Sequence, residues 1–490
     1  MSKSETPYVT LELAGANPAS LDSLDRIDQN QNTNNDGMGP PKHADLESVA
    51  GMGSISSTQT AEGIHDPLGY LIVCGVILIG DMSRGVMFPT MWPLVESLGG
   101  TTVTLGYAVA SFSFGRIIVS PVFGSWSVTY GYQKTLMLST FILTVGTLAY
   151  AQIPVVGKKE FLIIAQTMLG IGSGTLGVTR AFVAEVTATR QRTKYMAITT
   201  AVQYGGFTVT PFFGALFSHV IQDESYEMGI FQLNKFTAPA YFMFVICFIT
   251  LILLIFVFQD RERSSKKSSN DFLPKSKRRT LIDELANTTT WIGLTTYDAC
   301  LLGCMLLNVA TKGSIASFET MGINYADTHF GMSSEVAGSI VATCGTIGVV
   351  ALLCMAQLSE YFTDVQLITG GMAVMVGCML SLCFVSEDTN ENEVWKYFLA
   401  MFMMYSVGYP IGHTAVIGMF SKIVGRRKQG TLMGWFASSG SAARILFPIM
   451  SGYVTNYSSI ITLFLILIGI LSTSMSIVVV YRKTLGLLSI

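Results

Sequence analysis

Residues 421–448, SKIVGRRKQGTLMGWFASSGSAARILFP, join a basic hairpin to an apolar, small-residue helix that carries one arginine. If that helix begins near Gly430, Arg444 lies about 14 residues along it, roughly 21 Å at 1.5 Å per residue, well inside a hydrocarbon core about 30 Å thick. An arginine facing lipid at that depth costs about 2.5 to 3.5 kcal/mol, so it needs a partner or a water-filled cavity inside the protein. Gly440 and Ser441, four and three residues earlier, share its face and are small enough to leave room beside the guanidinium. The stretch reads as a spanning helix of a membrane transporter, with Arg444 lining the cavity.

The rest of the chain agrees with a polytopic membrane protein: 490 residues with only 13% charged and a mean hydropathy of +0.49. Twelve apolar segments, at 68–97, 102–126, 135–156, 161–187, 196–221, 237–258, 291–323, 335–361, 365–385, 395–421, 431–454 and 460–481, are each long enough to cross as a helix. The longest connection, 259–288, divides them six and six. The fold expected is therefore all-α, with halves at 68–258 and 289–482. A polar tail at 1–65, without a signal-peptide pattern, reads as disordered, and 483–490 as a short second tail.

Lysine and arginine set the orientation. Lys134, Arg190, Arg192, Lys194, the eight basic residues of 259–288, Lys422, Arg426, Arg427, Lys428, Arg482 and Lys483 fall on one side, against Lys158, Lys159, Lys235 and Lys396 on the other. That places both termini and the central loop in the cytosol. The eight cysteines lie mostly in apolar segments, without CxxC or Cys/His ligand spacing, so neither a disulfide framework nor a metal site is expected.

The halves also read as repeats. Residues 196–211 and 433–448 span the same interval, each after a basic hairpin, RQRTK or GRRKQ. In that alignment Arg444 stands opposite Phe207, so the charge belongs to one half alone. With LGIGSGTLGVTRAF (169–182), FET (318–320), VGYP (407–410) and the stretch at 421–448, the chain resembles the major facilitator superfamily and, more closely, the lysosomal membrane proteins of the CLN7 (MFSD8) group. The resemblance covers the whole membrane region. It implies two six-helix halves, transport of a small solute, and a lysosomal or vacuolar membrane. It also implies gating or packing roles for Gly131, Lys134, Gly170, Gly172, Gly174, Pro211, Pro410 and Pro448. The family motifs are incomplete: Val128 stands at the usual loop aspartate, Gln166 where many relatives carry arginine, and Thr210 before Pro211 in place of glycine.

Other charges inside apolar segments are Asp81, Arg84, Arg116, Arg180, Asp298, Lys312 and Glu319. Asp81 and Arg84, three residues apart, can pair on one helix face. Arg180, about nine residues from the basic end, can snorkel there, supporting a gate or the fold, or can bind solute. Glu319 is the favoured coupling group, with Asp81 second, because a carboxyl that moves relative to Arg444 or Lys312 loads and releases a proton. His413 reads as a hydrogen-bonded packing residue, and Met401, Met403 and Met404 as packing. GIGSG in the fourth segment lacks the strand and lysine of a phosphate loop, and no catalytic set is present. The sequence thus points to a non-enzymatic secondary transporter without cofactor. Its partners would be a small, anionic solute, protons and the bilayer, with no nucleic acid. Arg444, Arg180, Arg84 and Ser441 would line the cavity. An anion-conducting pathway, chloride foremost, and a non-transporting sensor or scaffold are the alternatives.

Overall fold

A computed structural model describes residues 66–221, 226–228, 231–259, 288–289, 293–331, 334–385, 391–425 and 429–489. The tail at 1–65 and nearly all of the loop at 259–288 lie outside the described residues. Contacts divide the chain into two units, Ile64–Ser264 with Leu301–Ile490, and Met1–Gly63 with Ser265–Cys300. In the second unit the described residues form a bridge between Thr289 and Thr295 and the opening turn of one long helix. Everything below concerns the first unit unless stated.

The first half comprises α1 (Pro67–Gly85), α2 (Phe88–Ser97), α3 (Thr102–Tyr130), α4 (Tyr132–Ala151), α5 (Lys159–Gly172), α6 (Leu176–Val186), α7 (Arg192–Ile221) and α8 (Ala238–Phe256). The second comprises α9 (Thr296–Phe330), α10 (Ser334–Tyr361), α11 (Asp364–Leu382), α12 (Glu391–Phe402), α13 (Tyr409–Val424), α14 (Gln429–Tyr457) and α15 (Ile460–Val480), with a short α16 (Arg482–Leu488) after it. Pairs α1–α2 and α5–α6 are each one span broken by a short turn, and a π-helical turn, Met403–Gly408, joins α12 to α13. That makes twelve spans in two sets of six. Apart from the helices, an antiparallel hairpin, β1 (Tyr226–Met228) and β2 (Phe231–Leu233), occupies a connection in the first half.

Local chemistry sets several boundaries. Asp66 caps α1, its Oδ1 accepting from the Gly69 amide at 2.9 Å, and Thr363 with Gln366 forms a capping box on α11. Gly131, at φ 92°, makes the corner between α3 and α4 that a side chain would strain. Among the described residues nine helical stretches are by themselves long and apolar enough to cross a membrane. The spans that fall short, α7, α12–α13 and α14, are rich in Gly, Ser and Thr or are broken midway. Small polar residues lower hydropathy at little cost where a helix faces protein.

Glycines fix how closely helices approach. A Cβ on Gly172 would come within 2.6 Å of the Leu143 backbone, and one on Gly170 or Gly174 would overlap Phe112 or Val119 of α3. The glycine run of the fourth span therefore lets α3 and α4 pack on its backbone. At the basic end the halves meet in a similar seam. A Cβ on Gly434 would lie 2.6 Å from the Ser120 carbonyl oxygen, one on Gly177 2.6 Å from Gly434 Cα, and Gly124 overlaps Gly430. Ser438 closes the seam by donating to the Ile117 carbonyl at 2.8 Å.

Polar contacts extend it. Arg192 donates to the Ala184 and Ser421 carbonyls, each at 3.1 Å, bridging the halves. Thr193 donates to Asp364 at 2.8 Å, and Lys422 pairs with the same carboxylate at 2.7 Å. Lys194 pairs with Glu360 at 2.7 Å, with the lysine partly and the glutamate largely exposed. That pair contributes at most about 1 kcal/mol.

Because the atoms facing Gly434 are backbone, the seam has little room to adjust. Gly434→Ala is expected to disfavour this closed arrangement by about 1 to 3 kcal/mol. A cysteine at buried Ser127 should then react several-fold faster with a water-soluble maleimide. Unchanged labelling would show that the seam relaxes around the methyl group.

Candidate functional site

The first half supplies three arginines and a carboxylate. Asp81 of α1 is buried, and Arg116 of α3 donates to its Oδ1 at 2.9 Å. The same guanidinium donates to Ser173 at 3.3 Å and lies 5.1 Å from the Phe112 ring centroid. The ion pair expected between Asp81 and Arg84 is therefore replaced by one across two helices. Arg84 lies instead over two rings, 5.7 Å from the centroid of Phe112 and 5.4 Å from that of Phe207. Phe207, which the repeat alignment sets opposite Arg444, thus supports a cation contributed by α1.

Arg180 of α6 does not snorkel. It is 2% exposed, its Nη2 donating to Gln203 Oε1 of α7 at 2.9 Å, while Nη1 has no hydrogen-bond partner. The broken fourth span holds this side chain inside the bundle rather than aiming it at the nearer end.

The second half supplies Lys312 and Glu319 on α9, Tyr409 and His413 on α13, and Arg444 on α14. Lys312 is 6% exposed, and no carboxylate among the described residues lies within 4 Å of it. A Cβ on Gly440 would sit 2.8 Å from its Nζ and 3.0 Å from Asn308 Nδ2. The room at Gly440, expected to serve Arg444, is therefore taken by Lys312 and Asn308. Asn308 anchors there by donating to the Phe436 carbonyl at 2.7 Å and to Ser439 at 2.9 Å. Ser441, expected at the cavity wall, donates to the Ala437 carbonyl of its own helix at 3.2 Å.

His413 is 1% exposed. Its Nδ1 lies 3.2 Å from the Thr311 hydroxyl, and its ring stacks on Tyr409 at 5.1 Å. Tyr409 in turn meets Tyr204 of the first half at 5.7 Å, so an aromatic bridge links the halves. Arg444 has Glu319, Tyr409 and Asp81 as its electrostatic neighbours, and its Nε makes no hydrogen bond. Glu319 is half-buried and forms no ion pair within 4 Å among the described residues.

These side chains form one connected group. Asp81 senses Arg116 and Arg444; Lys312 senses Arg180, Arg444, Arg116 and Asp81; Arg84 senses Arg444, Glu319, Arg116 and Asp81. Five basic side chains, Arg84, Arg116, Arg180, Lys312 and Arg444, thus stand within electrostatic reach of two carboxylates, Asp81 and Glu319, where the halves meet. A low-dielectric environment makes such an excess costly unless an anion or water answers it.

Other expected site residues stand apart. Asp298 begins α9 on the second unit, its carboxylate accepting from Thr295, which caps the Asp298 amide; it is a terminal cap rather than an intramembrane charge. Lys134 is exposed in a surface groove with Trp126, Tyr130, Thr135 and Leu138. Pro410 opens α13 directly after the π-helical turn, and Pro448 lies within α14. The side chain of Pro211 lies outside the described residues. Met401 and Met404 are buried packing residues, and among the described residues no three His, Cys, Asp or Glu side chains gather as a metal set.

The sequence-based reading missed Gln203, Asn308 and Tyr409 as parts of the group, although each is a polar residue within an apolar helix. It also passed over Gly430 and Gly434 as a GxxxG pair, the signal for close helix approach.

Residues 73–390 and 301–485 match the family model described as Major Facilitator Superfamily, and the chain belongs to this family of membrane transporters, which are not enzymes. Major facilitator superfamily domain-containing protein 8 of Xenopus laevis is 26% identical, the match covering 76% of this chain and 82% of that protein. Multidrug resistance protein 1 of Bacillus subtilis is 21% identical over 77% of this chain and 87% of its own. Among solved structures, the human organic anion transporter MFSD10 superposes with a TM-score of 0.65 at 16% identity, covering 86% of this chain and 100% of that one.

Proposed function

We propose that this protein is a secondary transporter that moves a small anionic solute by alternating access, across an endolysosomal or vacuolar membrane, with its basic end in the cytosol. The observation that carries the reading is the excess of cations over carboxylates where the halves meet, with hydrogen-bond capacity left on Arg444 Nε and Arg180 Nη1. A structural network would close on itself. The basic loops support the orientation, and the resemblance to the CLN7 group supports the membrane.

Of the two carboxylates, Glu319 is the better coupling group, because Asp81 is held by Arg116 within its own half. Glu319 and Arg444, by contrast, lie on different helices and are not locked as an ion pair. Glu319→Gln is expected to abolish proton-driven accumulation and flatten the pH dependence of uptake, while exchange of solute for solute persists. The measurement is uptake of radiolabelled organic anions into proteoliposomes, with and without a pH gradient. Uphill accumulation by the variant equal to that of wild type would remove Glu319 from the coupling step.

The same cation excess also favours a second reading, an uncoupled anion pathway. Planar-bilayer recording separates the two: chloride current without coupled solute movement supports conduction, and coupled uptake without such current supports transport.

A further inference from the structure

Lys312 and Arg444 bear on one face of α14. Lys312 Nζ lies 2.8 Å from where a Cβ on Gly440 would stand, and Gly440 and Arg444 are four residues apart, so Lys312 packs on the helix face that carries Arg444. Neither forms an ion pair within 4 Å among the described residues. Asp81 is an electrostatic neighbour of both, and Glu319 of Arg444. Asp81 is already paired with Arg116 at 2.9 Å. Lys312 is thus buried with three guanidinium groups as electrostatic neighbours and with no carboxylate within 4 Å among the described residues. Three buried polar atoms of the same group lack a hydrogen-bond partner, Nη1 of Arg180, Nε of Arg444 and Nε2 of His413, with the Arg180 and His413 side chains almost wholly buried.

We infer that this site takes a solute with two separate acidic groups, a short dicarboxylate, one group engaging Arg444 and the other Lys312, with Arg180 facing them from the opposite half. The inference rests on the reading of the group as a solute site. A monovalent anion neutralises one cation and leaves the other buried and uncompensated. A neutral solute compensates neither. Two acidic groups on one short solute answer both, and the planar fork of Arg444 suits a carboxylate. Gly440 then has a specific role: any larger residue displaces Lys312 from its place beside Arg444.

The test is counterflow in proteoliposomes with labelled succinate, glutarate, acetate, inorganic phosphate and chloride, paired with thermal unfolding of the detergent-purified protein in each anion. Succinate or glutarate is expected to exchange with saturation and to raise the unfolding temperature, whereas acetate does neither at equal concentration. Lys312→Met is expected to raise the half-saturating dicarboxylate concentration by about tenfold or more, the loss of one charge-assisted contact. Gly440→Ala should act in the same direction while keeping the lysine. Equal handling of acetate, phosphate and the dicarboxylates by wild type would overturn the two-group inference and leave the anion site standing, as would variants that exchange dicarboxylates normally. The unfolding measurement on wild type decides the matter if either variant fails to fold. Absence of exchange and of thermal shift with every anion would overturn both this inference and the reading beneath it.

Discussion

Arg444→Ala is expected to reduce solute uptake by ten- to a hundredfold while leaving a folded, membrane-inserted protein. Arg444 is one of the cations that face the junction of the halves, and its Nε makes no hydrogen bond within the protein. Removing a charged partner from a bound anion costs about 1.5 to 3 kcal/mol, which sets the size of the loss. The fold should tolerate the change, because no ion pair among the described residues ties the guanidinium down. Alanine also relieves repulsion among neighbouring cations. Arg444→Lys should recover little, since an ammonium keeps the charge but lacks the planar fork and holds its water more tightly. Uptake into proteoliposomes, with unfolding temperature as the control, checks both variants. Wild-type uptake by Arg444→Ala would take this residue out of the site.

Much of this architecture is legible from local sequence because membrane spans leave a strong mark: length, hydropathy and loop charge bound each helix with little help from tertiary contacts. The small-residue stretch at 421–448 also signals close packing, and α14 does pack through Gly430 and Gly434. What the sequence leaves open is which neighbour each polar group finds. Asp81 and Arg84 are three residues apart, yet Asp81 reaches across to Arg116, whose guanidinium is steadied by Ser173 and Phe112. Gly440 precedes Arg444 by one turn, yet serves Lys312 on another helix. Periodicity reports faces, whereas partners depend on the order in which helices surround the centre. The π-helical turn at Met403–Gly408 has no periodic signal at all, although Gly408 and Pro410 mark the place where regular helix geometry is weakest.

Asp81→Asn is expected to destabilise the protein by about 3 to 5 kcal/mol, because it leaves Arg116 charged and uncompensated inside the bundle. Arg116 is the sole ion-pair partner of Asp81 among the described residues, and the second carboxylate oxygen makes no hydrogen bond. Arg116→Gln should cost a similar amount by stranding the carboxylate. The double variant, which removes both charges, should be more stable than the two separate losses would add up to, the coupling between the sites recovering part of the penalty. Thermal unfolding of all four proteins in the same detergent measures this cycle. The same double variant separates support from coupling. The Asp81–Arg116 contact lies within the first half, joining α1 to α3, so a change in how the halves sit alters only the longer-range influence of Arg444 on Asp81 and not its ion-pair partner. The folded double variant should therefore retain pH-dependent accumulation if the coupling role proposed for Glu319 holds. A double variant that is stable yet uncoupled would transfer the coupling role to Asp81, and Arg116 would then be the group that controls its charge.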